Sequence, residues 1–342
     1  MDETSIINEN TDVFEKKITL IERNLQEITI NDKEIIRKII RKRNLKIYWG
    51  TAITGKPHIG YFLPILKIKD FVEAECEVTI LFADIHGFLD NLKAPIELIE
   101  NRYHYYEKII KIMLMSVGCD INKIRFVKGS DYQKNSDYVF DLYKLCSYTT
   151  ERDCKRAGSD VVKQRDNVLL SSLIYPNMQA LDEEYLKVDA QFGGEDQRKI
   201  FMHAKTFLPK LGYKKRIHLM NPMMPGLNSD KMSSSDELSK IDLLDTEQQI
   251  NKKINKCFCE EGNLQSGVLH VFEFVIFHYY TSISINKKSY TSIEDVKKDF
   301  EMKLIHPKDL KLACSNYINK MVTPIRNEML KDIDMIKKAY NN

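Results

Sequence analysis

The stretch EVTILFAD, residues 77–84, constrains the fold of this chain more than any other. It is a nearly continuous apolar run of strand length, the pattern of a parallel strand buried on both faces. LKIYWGT, KIRFVKG, YLKVDAQF and RIHLMN read as four more strands. Helix-length stretches lie between them, such as 95–117 and 195–211. Alternation of this kind predicts an α/β fold, a doubly wound, Rossmann-like domain with a parallel sheet. Residues 130–180 are mostly helical and too long for a simple crossover, so they read as a helical insertion between strands.

Upstream, 13–44 read as two charged amphipathic helices ending in RKIIRKRN, and residues 1–12 are expected to be disordered. After Lys240 the pattern changes. Residues 245–342 lack a comparable strand run and are dominated by lysine-rich amphipathic helices, one started by Pro307 and another interrupted or ended by Pro324. The expected boundary lies near residue 243, giving a domain over 13–243 and a small α-helical domain over 244–342. A chain of 342 residues suits about two such domains.

A formal charge of +3 excludes a histone-like mode of binding but leaves room for a local basic face. The start, MDETSIINENTD, has no apolar core and is not a signal peptide. No run approaches the length of a membrane span. Seven cysteines are scattered without CxxC pairs, which fits a reducing, cytoplasmic setting with no disulfides and no metal site.

Three short stretches carry chemistry. GTAITGKP, Gly50 to Pro57, nearly matches a P-loop but ends in Pro57, which has neither a hydroxyl for Mg²⁺ nor an N–H for phosphate. GxGxxG is absent, so dinucleotide binding has no support. The next residues, His58-Ile59-Gly60-Tyr61, would open a helix and point N–H groups and an imidazole at an anion; a satisfied core histidine in a tight turn reads equally well. The loop Asp230 to Asp236, DKMSSSD, offers Lys231 to a polyanion, although a solvated serine-rich linker is the commoner meaning. In YPNMQALD, Tyr175, Gln179 and Asp182 fall within roughly 60° of a helix surface. Buried, they need partners, and either a ligand or an internal network can supply them.

Taken together, HIG after the first strand and KMSSS after the last resemble the paired signatures of class I aminoacyl-tRNA synthetases. Within that class the chain is similar to tyrosyl-tRNA synthetases of archaeal and eukaryotic type, from about residue 17 to residue 330. ERNLQE, KIYWGTAITGKPHIGYF, TILFADIHGFLDNLKAP, LIYPNMQALDEEYLKVDAQFGGEDQRKIF, HLMNPMMPGL, KMSSS and IHPKDLK carry the resemblance.

The resemblance implies a Rossmann-like catalytic domain and a C-terminal anticodon-binding domain. It implies a tyrosine pocket in which Asp182 and Tyr48 meet the substrate phenol, while Tyr175, Gln179 and Gln197 hold the α-ammonium and orient the carboxylate. It implies ATP contacts at Gly50, His58, Gly60, Gly194, Asp196 on the ribose, Leu219 and Met220 beside the adenine, and Lys231 and Ser233, with His58 and Lys231 catalytic. Mg²⁺ would accompany the ATP phosphates. The implied partners are L-tyrosine, ATP and tRNA(Tyr), with Phe277 stacking on, and Asp309 accepting from, the first anticodon base, and a second copy docking through the helical insertion. Basic residues of that insertion, Arg152, Lys155, Arg156 and Lys163, would face the acceptor stem. The signatures depart from the family pattern at Tyr61 and Ser234, which throws more of the phosphate work onto His58 and Lys231. Tyr48 with Asp182 argues against the related tryptophanyl enzymes, because an indole N–H does not call for two partners around one hydroxyl.

Overall fold

Strands β1 (Lys46–Ala52), β2 (Glu77–Ala83), β3 (Ile124–Lys128), β4 (Ala190–Gly194) and β5 (Ile217–Asn221) pair in parallel, in the order β3-β2-β1-β4-β5. This computed structural model describes residues 3–91, 93–162, 167–227 and 240–340. All five expected strands are present. β2 is buried at every position but Glu77, and β5 throughout, as apolar runs sandwiched between helix layers must be. β4 is shorter than YLKVDAQF suggested. Tyr185 still belongs to a helix, Lys187 turns the chain with φ 57°, and pairing starts only at Ala190. The chain leaves β1 toward β2 and β3, then returns to the other side for β4 and β5. That reversal puts a crevice at the carboxyl ends of β1 and β4, where open α/β sheets bind ligands.

The helices before β4 are α1 (Glu3–Glu22), α2 (Ile30–Ile40), α3 (Phe62–Glu73), α4 (Asp84–Leu89), α5 (Ile99–Ser116), α6 (Ser130–Gln133), α7 (Ser136–Tyr148), α8 (Glu151–Gly158) and α9 (Leu170–Tyr185); α10 (Arg198–Phe207) comes after β4. Residues 3–12, expected to be disordered, belong to α1; the run contains neither glycine nor proline to stop a helix. The insertion is α6 to α9. α8 begins with a reciprocal capping box between Thr150 and Asp153. α9 is buried on nearly every side from Tyr175 to Glu183, a central helix rather than a surface one.

The described residues fall into two compact units, one drawn from 1–54, 67–104 and 120–222, the other from 55–66, 105–119 and 223–342. The division thus falls at Pro222 rather than near 243, and the second unit also takes two segments of the first half of the chain. Backbone bonds explain this. Ile59 N–H donates to Ile241 O, His58 bridges to Asp242, and the Cys257 thiol reaches Leu227 O at 2.9 Å.

The second unit continues with α11 (Glu247–Lys256), α12 (Gly267–Val271), a π-turn over Phe272–Ile276, α13 (Phe277–Tyr279), strands β6 (Ile283–Ile285) and β7 (Lys288–Tyr290), then α14 (Ile293–Glu301), α15 (Pro307–Leu330) and α16 (Ile333–Tyr340). The unit is mainly helical, as expected, with one antiparallel hairpin besides. Its two-residue turn, Asn286-Lys287, holds both residues at positive φ, the geometry that matches strand twist. Pro307 starts α15, but Pro324 does not end it: the helix runs on to Leu330. Burial of Met321, Val322, Ile325 and Met329 outweighs the proline penalty of ~3 kcal/mol.

Candidate active site

The helix α9 presents Tyr175, Gln179 and Asp182 on one face, and all three are buried, Asp182 to 1% exposure. β1 brings Tyr48 up from the sheet, equally buried, between Thr79 of β2 and Gln191 of β4. Its hydroxyl stands 3.5 Å from the Gln179 carbonyl, a long contact that leaves most of its hydrogen-bonding capacity uncommitted. Gln179 Nε2 donates to Gln197 Oε1 at 3.0 Å, and Gln197 Nε2 reaches Asp196 Oδ1 at 3.3 Å. The first unit therefore gathers Gln179, Gln197 and Asp196 into one chain of amides and carboxylate, with Tyr48 against the Gln179 backbone.

Asp182 is the electrostatic centre. Its Oδ1 accepts from the Tyr132 hydroxyl at 2.7 Å, Gln133 Nε2 at 2.8 Å and the Tyr138 hydroxyl at 3.0 Å. Its Oδ2 has no hydrogen-bond partner among the described residues. Burial pushes the Asp182 carboxyl up to about 7; the bonds from Gln133, Tyr132 and Tyr138 pull it back, and neighbouring Glu183 pushes again upward. Burial, reinforced by the Asp182 charge, likewise drives the Tyr48 phenol well above its ordinary value, so Tyr48 stays a protonated donor. His86, on α4, packs edge-on against the Tyr175 ring with centroids 4.6 Å apart. Burial lowers it to about 4, against a smaller opposing effect of the Tyr175 backbone, so the ring is neutral.

Tyr132, Gln133, Tyr138 and His86 were not singled out in the sequence, yet one signal pointed to three of them. His86 lies just beyond β2, and Tyr132 and Gln133 just beyond β3. Those are carboxyl ends of parallel strands, where such sheets collect their functional groups. Tyr138 carried no such signal.

The residues expected to contact a nucleotide belong to different units. In the first, Gly193 and Gly194 end β4 opposite Met220 and Asn221 of β5, and Asp196 lies in the short turn beyond. A Cβ at Gly193 would stand 3.0 Å from Gln197 Cγ and Phe201 Cζ, so a larger residue there would push on both side chains. Gly50 has room for a methyl group, and nothing in the first unit itself demands glycine there. Met220 donates to Glu27 O and accepts from Gln26, so its backbone is already satisfied. In the second unit, His58 is buried and its Nδ1 accepts from Gly60 N–H at 3.2 Å, capping the turn Ile59–Tyr61. The Gly60 N–H expected to face phosphate is thus committed within the turn. With Nδ1 accepting that bond, Nε2 is the donor nitrogen of the ring. Lys231, Ser233 and Ser234 lie outside the described residues, as does Lys163.

Phe277, half-buried, comes directly after the π-turn, which packs on α15. Asp309 stands in the first turn of α15, behind the cap His306 and Pro307, where a carboxylate is favoured by the helix dipole. In the insertion Lys155 and Arg156 already pair with Glu151 and Asp153.

The family described as class I tRNA synthetases (W and Y) matches residues 41–323. A probable cytoplasmic tyrosine–tRNA ligase of Encephalitozoon cuniculi is 53% identical over 336 residues, covering 96% of this chain and 99% of that protein. One of Vairimorpha ceranae is 57% identical over 331 residues, 96% and 98% of the two chains. The tyrosyl-tRNA synthetase of Archaeoglobus fulgidus, solved in complex with L-tyrosine, superposes with a TM-score of 0.84 at 33% identity, over 92% of this chain and 99% of that one. With a family match over most of its length and relatives this similar from end to end, the chain belongs to the class I tRNA synthetases of the tryptophan and tyrosine family.

Proposed function

We propose that this protein is a tyrosine–tRNA ligase, which joins L-tyrosine to ATP as tyrosyl-adenylate and passes the tyrosyl group to tRNA(Tyr). The observation that carries the reading is a buried phenol, Tyr48, held only by a long contact and close enough to feel the charge of buried Asp182, whose Oδ2 has no hydrogen-bond partner among the described residues. A substrate phenol can donate to Asp182 and accept from Tyr48. A pocket built to hydrogen-bond a hydroxyl rejects the analogue without one by about 10⁴–10⁵, a magnitude known from tyrosine enzymes of this same class.

In the first step the tyrosine carboxylate attacks the α-phosphorus of ATP, and the bond to the β,γ-pyrophosphate breaks. ATP enters as its magnesium complex, the ion neutralising phosphate charge. Tyr175, Gln179 and Gln197 orient the α-ammonium and carboxylate; Asp196 takes the ribose hydroxyls, and Leu219 and Met220 flank the adenine. Gly50 and Gly194 let the nucleotide lie close to the backbone. His58 donates from Nε2 to phosphate, with the Gly60 turn holding the ring. Lys231 and Ser233 accompany the departing pyrophosphate. Positioning and charge stabilisation suffice here, and no protein nucleophile is needed. In the second step a hydroxyl of the terminal tRNA adenosine attacks the adenylate carbonyl, releasing AMP.

For tRNA, Phe277 stacks on the first anticodon base and Asp309 accepts from it. A second copy covers the insertion, where Phe140, Tyr143 and Tyr148 of α7 and Leu170 of α9 are exposed apolar groups. The cytoplasm, named for the relatives, is the proposed location.

The test is ATP–pyrophosphate exchange without tRNA, offering tyrosine, phenylalanine and tryptophan separately. Exchange with tyrosine alone is expected. Exchange with tryptophan would mean that Tyr48 and Asp182 are misread, and none from folded protein would refute the activity.

A further inference from the structure

The carboxylate of Asp182 is held in an unusual way. Three donors converge on one of its oxygens, although an ionised carboxylate oxygen offers roughly two lone-pair directions. Tyr132 and Gln133 come from α6, directly after β3, and Tyr138 from α7. The Tyr138 hydroxyl also lies 2.9 Å from Met178 O, so its one proton is shared; Tyr132 and Gln133 are the full donors. The other oxygen, Oδ2, is buried without a hydrogen-bond partner among the described residues, and His86 Nε2 stops 3.9 Å short of it. An unpaired buried carboxylate oxygen is costly, so it persists where something else completes it.

We infer that Tyr132, Gln133 and Tyr138 are positioning residues, which saturate Oδ1 of Asp182 and so reserve Oδ2 for the substrate phenol. The inference rests on the tyrosine-ligase reading above and deepens it. None of the three needs to touch substrate. Their hydrogen bonds favour the charged carboxylate over the neutral acid, against the burial that opposes it. At neutral pH this balance sets whether Asp182 accepts from the phenol or carries a proton of its own.

Of the described groups around it whose titration is clearly displaced, Asp182 is the one brought near neutrality. Glu183 on α9 adds a like charge. Tyr132, Tyr138 and Tyr48 all titrate far above neutrality, and His86 on α4 titrates near 4. Two further helices pack on α9. His203 of α10 bonds to Asn177 at 2.7 Å, and Asp153 and Arg156 of α8 act on His203.

The experiment is the pH profile of kcat/KM for tyrosine in ATP–pyrophosphate exchange, which reports ionisation in the free enzyme. Wild type is compared with Tyr132→Phe/Gln133→Leu. The variant is expected to move the acid limb upward by about one pH unit and to raise KM for tyrosine about tenfold at pH 7. Activity should return as pH rises past the shifted limb, and KM for ATP should stay unchanged. A merely structural loss would not be rescued by pH. An acid limb in the wild-type position overturns the inference. If the double variant does not fold, Tyr132→Phe alone, which trims one hydroxyl, should shift the limb in the same direction by less. Wild type that fails to exchange with tyrosine at any pH overturns the ligase reading itself, and the positioning role with it.

Discussion

Tyr48 shows how a single buried hydroxyl can be held in reserve. Its contact with the Gln179 carbonyl, at 3.5 Å, is too long to contribute much to stability. Tyr48→Phe should therefore leave the melting temperature nearly unchanged while raising KM for tyrosine about tenfold and narrowing the preference over phenylalanine. Exchange kinetics with both amino acids, beside a thermal melt, check this; a large drop in melting temperature with unchanged selectivity would make Tyr48 a core residue only. His58 teaches the converse. Its Nδ1 and the Gly60 N–H satisfy each other, so the turn after β1 is closed by its own cap. The residue types in HIG were legible, but the bond between them was not, because it depends on the backbone path of that turn.

At the scale of elements, α9 and β5 share a buried polar pair. His218 Nε2 and Glu183 Oε1 lie 2.6 Å apart, both essentially inaccessible, and Phe201 stacks on the imidazole at 4.5 Å. Removing one partner strands the other: His218→Phe should destabilise by about 3–5 kcal/mol, whereas His218→Leu with Glu183→Leu should recover most of that loss. Denaturant unfolding of wild type and the two variants decides it; a double variant that loses as much as the single one, or more, would show that a stranded Glu183 is not the source of the loss. Periodicity predicted the polar face of α9 correctly. It could not reveal that the flanking and opposite faces, with Glu183 and Asn177, are buried as well, because a helix enclosed on all sides has no solvent face to set its pattern. Pro324 misled for a related reason: local propensity argued for a stop, and apolar burial along α15 overrode it.

Across the whole molecule, acid should act through a few buried groups. Burial holds His203 and His86 near 4, below the ordinary histidine value. The unfolded chain takes up those protons first, so this stability is present above about pH 6.5 and lost as pH falls toward 4. Asp182, raised to about 7, works in the opposite sense and gains as pH falls through the same range. Two histidines against one carboxyl leave a net loss. At pH 5 each histidine should contribute on the order of 2 kcal/mol of destabilisation relative to pH 7.5. His203→Gln, which keeps a bond to Asn177 without titrating, should flatten the acid side of a urea-midpoint profile. An unchanged profile would assign the acid loss elsewhere.

The five strands, the helical insertion, the helical second unit and the family were all legible from sequence alone. Buried parallel strands must be apolar throughout, and the signatures after the first and the last strand in chain order are each contiguous in sequence. What the tertiary structure decided was which groups meet. Tyr132, Gln133 and Tyr138 reach Asp182 from 44 to 50 residues away in sequence. The segments 55–66 and 105–119 join a unit built mostly from the far end of the chain. A hydrogen bond between distant residues leaves no period and no spacing in a sequence; only the folded backbone brings its donor and acceptor within about 3 Å.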